Sequence, residues 1–566
     1  MIVLAVLQGC ASGQPRTTVR IIDGAPQQTR YVGAGAYAHY LKAQVALGRG
    51  ELQGALEQLR AALIMDPESP HLHTSAAMVL VQLGQLELAH QMIRRALAFQ
   101  AGYPDALVLQ GQIFHRQNKL AAAERSFRLC IRHNPGHAAG HLELSALLEQ
   151  AGRPGPATRV LKSMVQQVKG PGRDQAYRRL ATLCLRQVNY PCARQQLRLS
   201  LGEQTALVTL VKLAHVLRAM GDAPGAVKLL REAFDRTNGD MGVATALLDL
   251  LHHKGTSQEV DDLLTVLATA AQDRPEQLHR VAELALHVHR PRWALQLVEQ
   301  QLKHKETPEL QIARAMALEK LGRSSEAEKL LAGLVGGDSG MQASLQLAEL
   351  MQRHQRHREA SETLRQALTR HGHNTVLVLA LSRSLHLEGK NDASTQVVRA
   401  ALLGHPDDRE LLFGLAAAFE RIGSWREALK QVRRILARHP NDAPALNFLG
   451  YTLADNSVEL DRAERSIRRA LFLEPGRGYI IDSLGWLHFR RGNRARAKTL
   501  LHMAARLSPA EPEILAHLAE VHVALKSMSQ AIQLLRRAIS VSEDDLLTTK
   551  LRRRLDQLER GRVGTR

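Results

Sequence analysis

Two consecutive runs decide the fold: APALNFLGYTLADNSVELDRAERSIRRALFLEPG, Ala443 to Gly476, and GYIIDSLGWLHFRRGNRARAKTLLHMAARLSPA, Gly478 to Ala510. Laid over each other, they match at three small residues: Gly450 with Gly485, Ala463 (displaced by one) with Ala497, and Ala470 with Ala504. A proline closes each run, at Pro475 and Pro509. Apolar residues at helical spacing fall on both sides of a short polar turn, so each run reads as two antiparallel amphipathic helices. Small residues at the crossing points let the two backbones approach. Proline cannot continue a helix interior and ends the second helix.

Working outward, the first small residue recurs at Ala43, Ala77, Gly111, Ser145, Ala181, Ala214, Ala282, Ala315, Ala348, Ser382, Ala416 and Ala519. The period is about 34 residues, with one double step before Ala282. Residues such as Phe127, Leu229 and Leu330 fill around the small positions, and turn glycines recur at Gly84, Gly221, Gly322, Gly423 and Gly492. Period, small positions and closing proline resemble the tetratricopeptide repeat, over about Ala36 to Val541. The resemblance implies an all-α, right-handed superhelical α-solenoid of about fifteen helix-turn-helix units, with a C-terminal capping helix. One unit, residues 241–274, is degenerate: Leu248, Val260 and Leu267 stand at its small positions. It reads either as a drifted hairpin or as a hinge. Residues 542–566 read as a basic capping helix and tail.

Composition agrees with a helical array. Aromatics are 4% of the chain and the apolar fraction, rich in Ala and Leu, is 45%; such residues pack helices closely at little cost in helix propensity. Formal net charge is +20, from 75 Lys and Arg against 55 Asp and Glu. That excess attracts anionic partners without identifying them.

At the N-terminus, MIVLAVLQGC is followed by ASGQP. The segment Leu7-Gln8-Gly9-Cys10 resembles the lipobox of bacterial lipoproteins, with Gln8 in place of the usual small residue. The resemblance implies lipidation of Cys10 and, with Ala11 following it, sorting to the periplasmic face of the outer membrane. Residues 1–10 are then a signal-peptide remnant and 11–35 a flexible tether. No Lys or Arg precedes Cys10, whereas a signal peptide needs a basic n-region, so the start codon is expected upstream.

Candidate binding residues lie in the two opening runs. Asn447 and Asp482 hold equivalent places on first helices, as do Tyr451 and Trp486. Aromatics are enriched at binding hot spots, in a chain with only 3 Trp and 8 Tyr. These four are candidates for a concave groove that takes other proteins or peptides; packing between neighbouring hairpins is the competing reading. Cys184 and Cys192 flank one turn, either bridged or as two reduced thiols. Cys130 reads as core. The Lys and Asn set of the carboxylate clamp found in chaperone-binding relatives is absent.

No phosphate-binding loop, HExxH pair, dinucleotide fingerprint or nucleophile elbow occurs. His354 and His357 read as a solvated turn, not as metal ligands. The sequence therefore predicts no enzyme, cofactor, metal or small-molecule substrate. It predicts a lipid-anchored scaffold of an envelope assembly (polysaccharide export, secretion or outer-membrane biogenesis). A cytoplasmic adaptor or regulator is the alternative. An RNA-binding repeat protein ranks below both, and nucleic acid is not the expected partner.

Overall fold

The computed structural model describes residues 17–22, 25–30, 33–201, 207–237, 239–254, 256–272, 274–372, 374–542 and 545–563. Among these are 31 helices. They pair in order into helical hairpins, leaving Asp545–Val563 over at the end, which is the unit count read from the repeat. The fold is an α-solenoid with a capping helix. Cys10 lies outside the described residues. Where a flexible tether was expected, Thr17–Ile22 pairs antiparallel with Ala25–Arg30. The β-branched residues of TTVRII favour that pairing.

The chain divides into two compact units between Leu183 and Cys184. The degenerate repeat does not mark that division. Its two helices, Met241–Lys254 and Ser257–Ala271, lie inside the second unit. Leu248, Val260 and Leu267 are buried there, so the hairpin tolerates larger residues at its crossing points.

Elsewhere the small residues occupy the expected crossing points. Ala43, Ala77, Ala315, Ala416 and Ala519 are fully buried, as are their second-helix partners Ala55, Ala89, Ala327, Ala428 and Ala531. At Gly450 a Cβ would stand 2.5 Å from Ile467 Cγ1 and 2.9 Å from the carbonyl oxygen of Ala463. Here the two backbones have met as closely as glycine permits.

Consecutive units are joined by polar staples as well as by apolar packing. Asp442 is the N-cap of Ala443–Asp455, accepting from the Ala445 amide at 2.8 Å, and also pairs with Arg409 of the preceding unit. Burial disfavours its charge, but Arg409 and the cap bond prevail and hold its pKa below the usual value. Arg434 donates to the Pro406 carbonyl at 2.6 Å and Arg537 to that of Pro509 at 3.0 Å. Arg469, at the same place in its own helix, reaches Asn441 Oδ1 at 2.7 Å. Part of the basic excess is thus structural: these arginines tie a second helix to the loop before its hairpin.

The final helix covers the last hairpin. Leu551 is buried and Leu547, Leu555 and Leu558 pack on the cluster of Leu515, Ala519, Ala531 and Leu535. Arg554 grips Glu520 through two bonds, at 2.6 and 2.7 Å.

Candidate partner-binding face

Within the second unit the winding returns the chain onto itself. Arg186 lies 3.8 Å over the Phe472 ring and donates to the Phe472 carbonyl at 2.9 Å. His215 Nε2 meets the Gly476 carbonyl at 3.1 Å, and Arg218 Nε donates to that of Arg506 at 2.9 Å. Phe472 and Arg506 sit in the last turns of Leu460–Leu473 and Arg494–Leu507. Carbonyls there have no partner within the helix and carry its negative dipole end, so cations suit them. The periodic sequence carries no sign of this contact.

A hollow of about 1460 Å³ lies on the inner side, with Arg218, His252 and His287 in its wall, together with Gln342 and Gln346 and, on the far side, Glu511 and Arg537.

Beside it stands the stretch picked out by sequence. Asp482, on Gly478–Arg490, is buried, and both its carboxylate oxygens lie 3.0 Å from His517 Nδ1. His517, on Pro512–Ala524, follows Asp482 by 35 residues. Asn447, Asp482 and His517 therefore form a ladder, one rung per unit. Burial opposes a charge on His517, but the Asp482 carboxylate, with Glu513 and Asp455, outweighs it and its pKa is raised. The His517 ring stacks on Trp486 at 4.2 Å, and Phe489 packs near the Trp486 ring at 5.0 Å. Trp486 Nε1 donates to Asp455 at 2.9 Å.

This corrects one reading. Trp486 is only 8% exposed, and packs between units instead of presenting itself to a partner. Asp482 likewise lies beneath the surface, as the partner of His517. Tyr451 is only half-buried, and its hydroxyl points to His517 Nε2 at 3.4 Å. Burial pushes its pKa up, and four carboxylates add to that: Asp455, Asp482, Glu513 and Glu420. Asn447, one turn earlier on the same helix face, is 9% exposed and its Oδ1 has no hydrogen-bond partner.

The sequence reading missed His517, Glu420, Asp455 and Glu513. The signal for His517 was its spacing from Asp482. For Glu420 and Asp455 it was their shared place near the ends of successive first helices.

Cys184 and Cys192 are joined in a disulfide, with Cα atoms 5.7 Å apart. Cys130 is free and buried. Among the described residues no group of three or more His, Cys, Asp or Glu is placed to hold a metal ion, and no helix is long and apolar enough to cross a membrane.

Against known proteins, tetratricopeptide repeat models match residues 46–113, 207–238, 409–452 and 488–554. A TPR repeat-containing protein of Pseudomonas aeruginosa, PA4667, is 42% identical over 78 residues, 14% of this chain and 13% of that one. Yeast Tom70 aligns over 93% of this chain and 96% of its own, at 14% identity and a TM-score of 0.32. A tetratricopeptide repeat protein from Parabacteroides merdae aligns over 44% of this chain and 98% of its own, at 16% identity and a TM-score of 0.36. The matched segments run from the early units to the last ones, and the same hairpin is built between them. The chain is a tetratricopeptide-repeat protein.

Proposed function

We propose that this protein is a non-catalytic scaffold that holds other polypeptides against the inner face of its second compact unit. The observation that carries the reading is the continuity of that face. The hollow of about 1460 Å³ runs to Glu511 and Pro512, at the start of the helix that presents Glu513 and His517. A stacked array of this kind offers a long concave surface for an extended segment. The test is capture of bound proteins after fixation in cells, comparing the native chain with Gln342→Trp/Gln346→Trp. Both glutamines line the hollow on one helix face. Partners retained equally by the two chains would refute the reading.

For location, we propose a lipid anchor at Cys10 and residence at the periplasmic face of the outer membrane, organising an envelope assembly. The Cys184–Cys192 bridge supports an oxidising compartment, since disulfides rarely persist in the cytosol. Chain extracted from cells under acid quench should leave both cysteines unlabelled by a thiol reagent until it is reduced. Removing the bridge should cost the local hairpin about 2–3 kcal/mol on the chain-entropy account. Immediate labelling would favour the cytoplasmic adaptor instead. The anchor itself fails if labelled palmitate does not enter the protein and Cys10→Ala leaves fractionation unchanged.

A further inference from the structure

The contacts between early and late hairpins of the second unit follow a fixed step. Arg186 ends the first helix of the fifth hairpin, and Phe472, which it touches, belongs to the thirteenth. His215 and Arg218 lie on Leu207–Met220, in the sixth. His215 meets the Gly476 carbonyl just before the fourteenth hairpin, and Arg218 reaches the Arg506 carbonyl within it. Each tie thus joins hairpins eight apart along the chain. The same step from the seventh hairpin leads to the fifteenth, and there the walls part. Asp249 and His252 of Met241–Lys254 stand on one side of the hollow, Arg537 and Ser540 of Met528–Val541 on the other. Arg218 belongs both to the seam and to the wall, and the far wall begins at Leu507, the residue after Arg506. The seam is closed at two steps and opens into the hollow at the third.

Its ties are of a kind that can part. They run from long side chains to main-chain carbonyls: Phe472 and Arg506 on one side and, on the other, Ala219, to which Arg506 donates at 3.4 Å. All three carbonyls lie in the last turns of their helices, where they lack helical partners and water serves them as an arginine does. Successive hairpins are joined differently, by buried residues such as Leu347 and Leu381, which share one core cluster. Separating those exposes apolar surface to water; parting the seam returns polar groups to it.

We propose that this seam is the gate of the hollow: Arg186, His215 and Arg218 hold two turns of the winding together beside it, and a partner chain enters when they part and is clasped when they close. The inference rests on the reading of the inner face as the partner-binding surface, and adds how that surface is reached. Local opening of this kind occurs without unfolding where few apolar contacts are lost.

The test needs no partner. In the full chain carrying Cys10→Ala, Cys130 is buried and Cys184 and Cys192 are bridged. One reactive cysteine is then placed in the hollow by Gln342→Cys, or outside it by Leu403→Cys. Labelling by N-ethylmaleimide is compared with labelling by a maleimide carrying a long polyethylene glycol chain. With the seam intact, the bulky reagent should lag behind the small one at Gln342→Cys, relative to Leu403→Cys. Arg186→Ala/His215→Ala/Arg218→Ala should speed the bulky reagent at Gln342→Cys by about tenfold, as for a two-state balance moved by one decade, with circular dichroism unchanged. An equal lag with the seam intact and with it broken, or no lag with it intact, would overturn the gate. Neither result touches the scaffold reading, which stands or falls on partner capture with Gln342→Trp/Gln346→Trp.

Discussion

Replacing Gly450 by valine is expected to destabilise the hairpin Ala443–Leu473 by about 3 kcal/mol, near the upper end of what overpacking costs. The first added atom would already be too close to two neighbours. Ile467 Cγ1, 2.5 Å away, belongs to a side chain that can turn aside; the Ala463 carbonyl oxygen, 2.9 Å away, belongs to the backbone and cannot. Helix propensity pulls in the opposite direction, since glycine costs about 1 kcal/mol relative to alanine in a helix. Two alanine variants separate the effects. Gly450→Ala should destabilise, because the clash outweighs propensity. Gly333→Ala, in the helix Ser324–Leu334 with nothing within 4 Å of the new Cβ, should be neutral or stabilise by up to about 1 kcal/mol. Neighbouring units contribute to stability locally in a repeat array, so the readout is amide hydrogen exchange over residues 443–473. Uniform loss of protection along the chain would contradict the assignment of Gly450 to one crossing point.

The second large effect is at the Asp482–His517 pair. Asp482→Ala should cost about 3–5 kcal/mol, the range for breaking a buried ion pair by removing one partner. The pH dependence fixes the cause. The folded-state pKa of His517 is raised above 6.5, against the opposing effect of burial, because Asp482 favours the protonated ring. A raised histidine pKa adds stability that is fully present below the unfolded value and disappears as pH rises through the folded one. The deficit of Asp482→Ala should therefore be largest just below pH 6.5 and shrink in alkaline buffer. Leaving no orphaned charge, Asp482→Leu/His517→Leu should be more stable than Asp482→Ala. Urea unfolding followed by Trp fluorescence suits the measurement, since the His517 ring lies on Trp486. A deficit that grows with rising pH would show the pair is not what holds these units together.

These two sites also show how much the sequence could reveal. Gly450, Gly485 and the alanines at equivalent places are legible because a crossing of two helices excludes large side chains, so one residue class recurs at a fixed period. The capping helix is legible because its leucines keep helical spacing beyond the last hairpin. The Asp482–His517 contact keeps the period but changes residue type at each rung, from Asn447 to Asp482 to His517, so no single class repeats. Trp486 could be assigned to partner or packing only from what covers its ring. The Arg186, His215 and Arg218 contacts leave no periodic trace, because superhelical winding brings together residues as much as 288 positions apart.

Partners held on the inner face of the second unit should be within reach of side chains in its wall. Site-specific photocrosslinking in cells tests it most directly, with the photoreactive residue placed in turn at Gln346, in the wall of the hollow, and at Leu403, an exposed position at the end of a second helix. A discrete crosslinked partner is expected from Gln346 and none from Leu403. Crosslinks from Leu403 with none from Gln346 would contradict it.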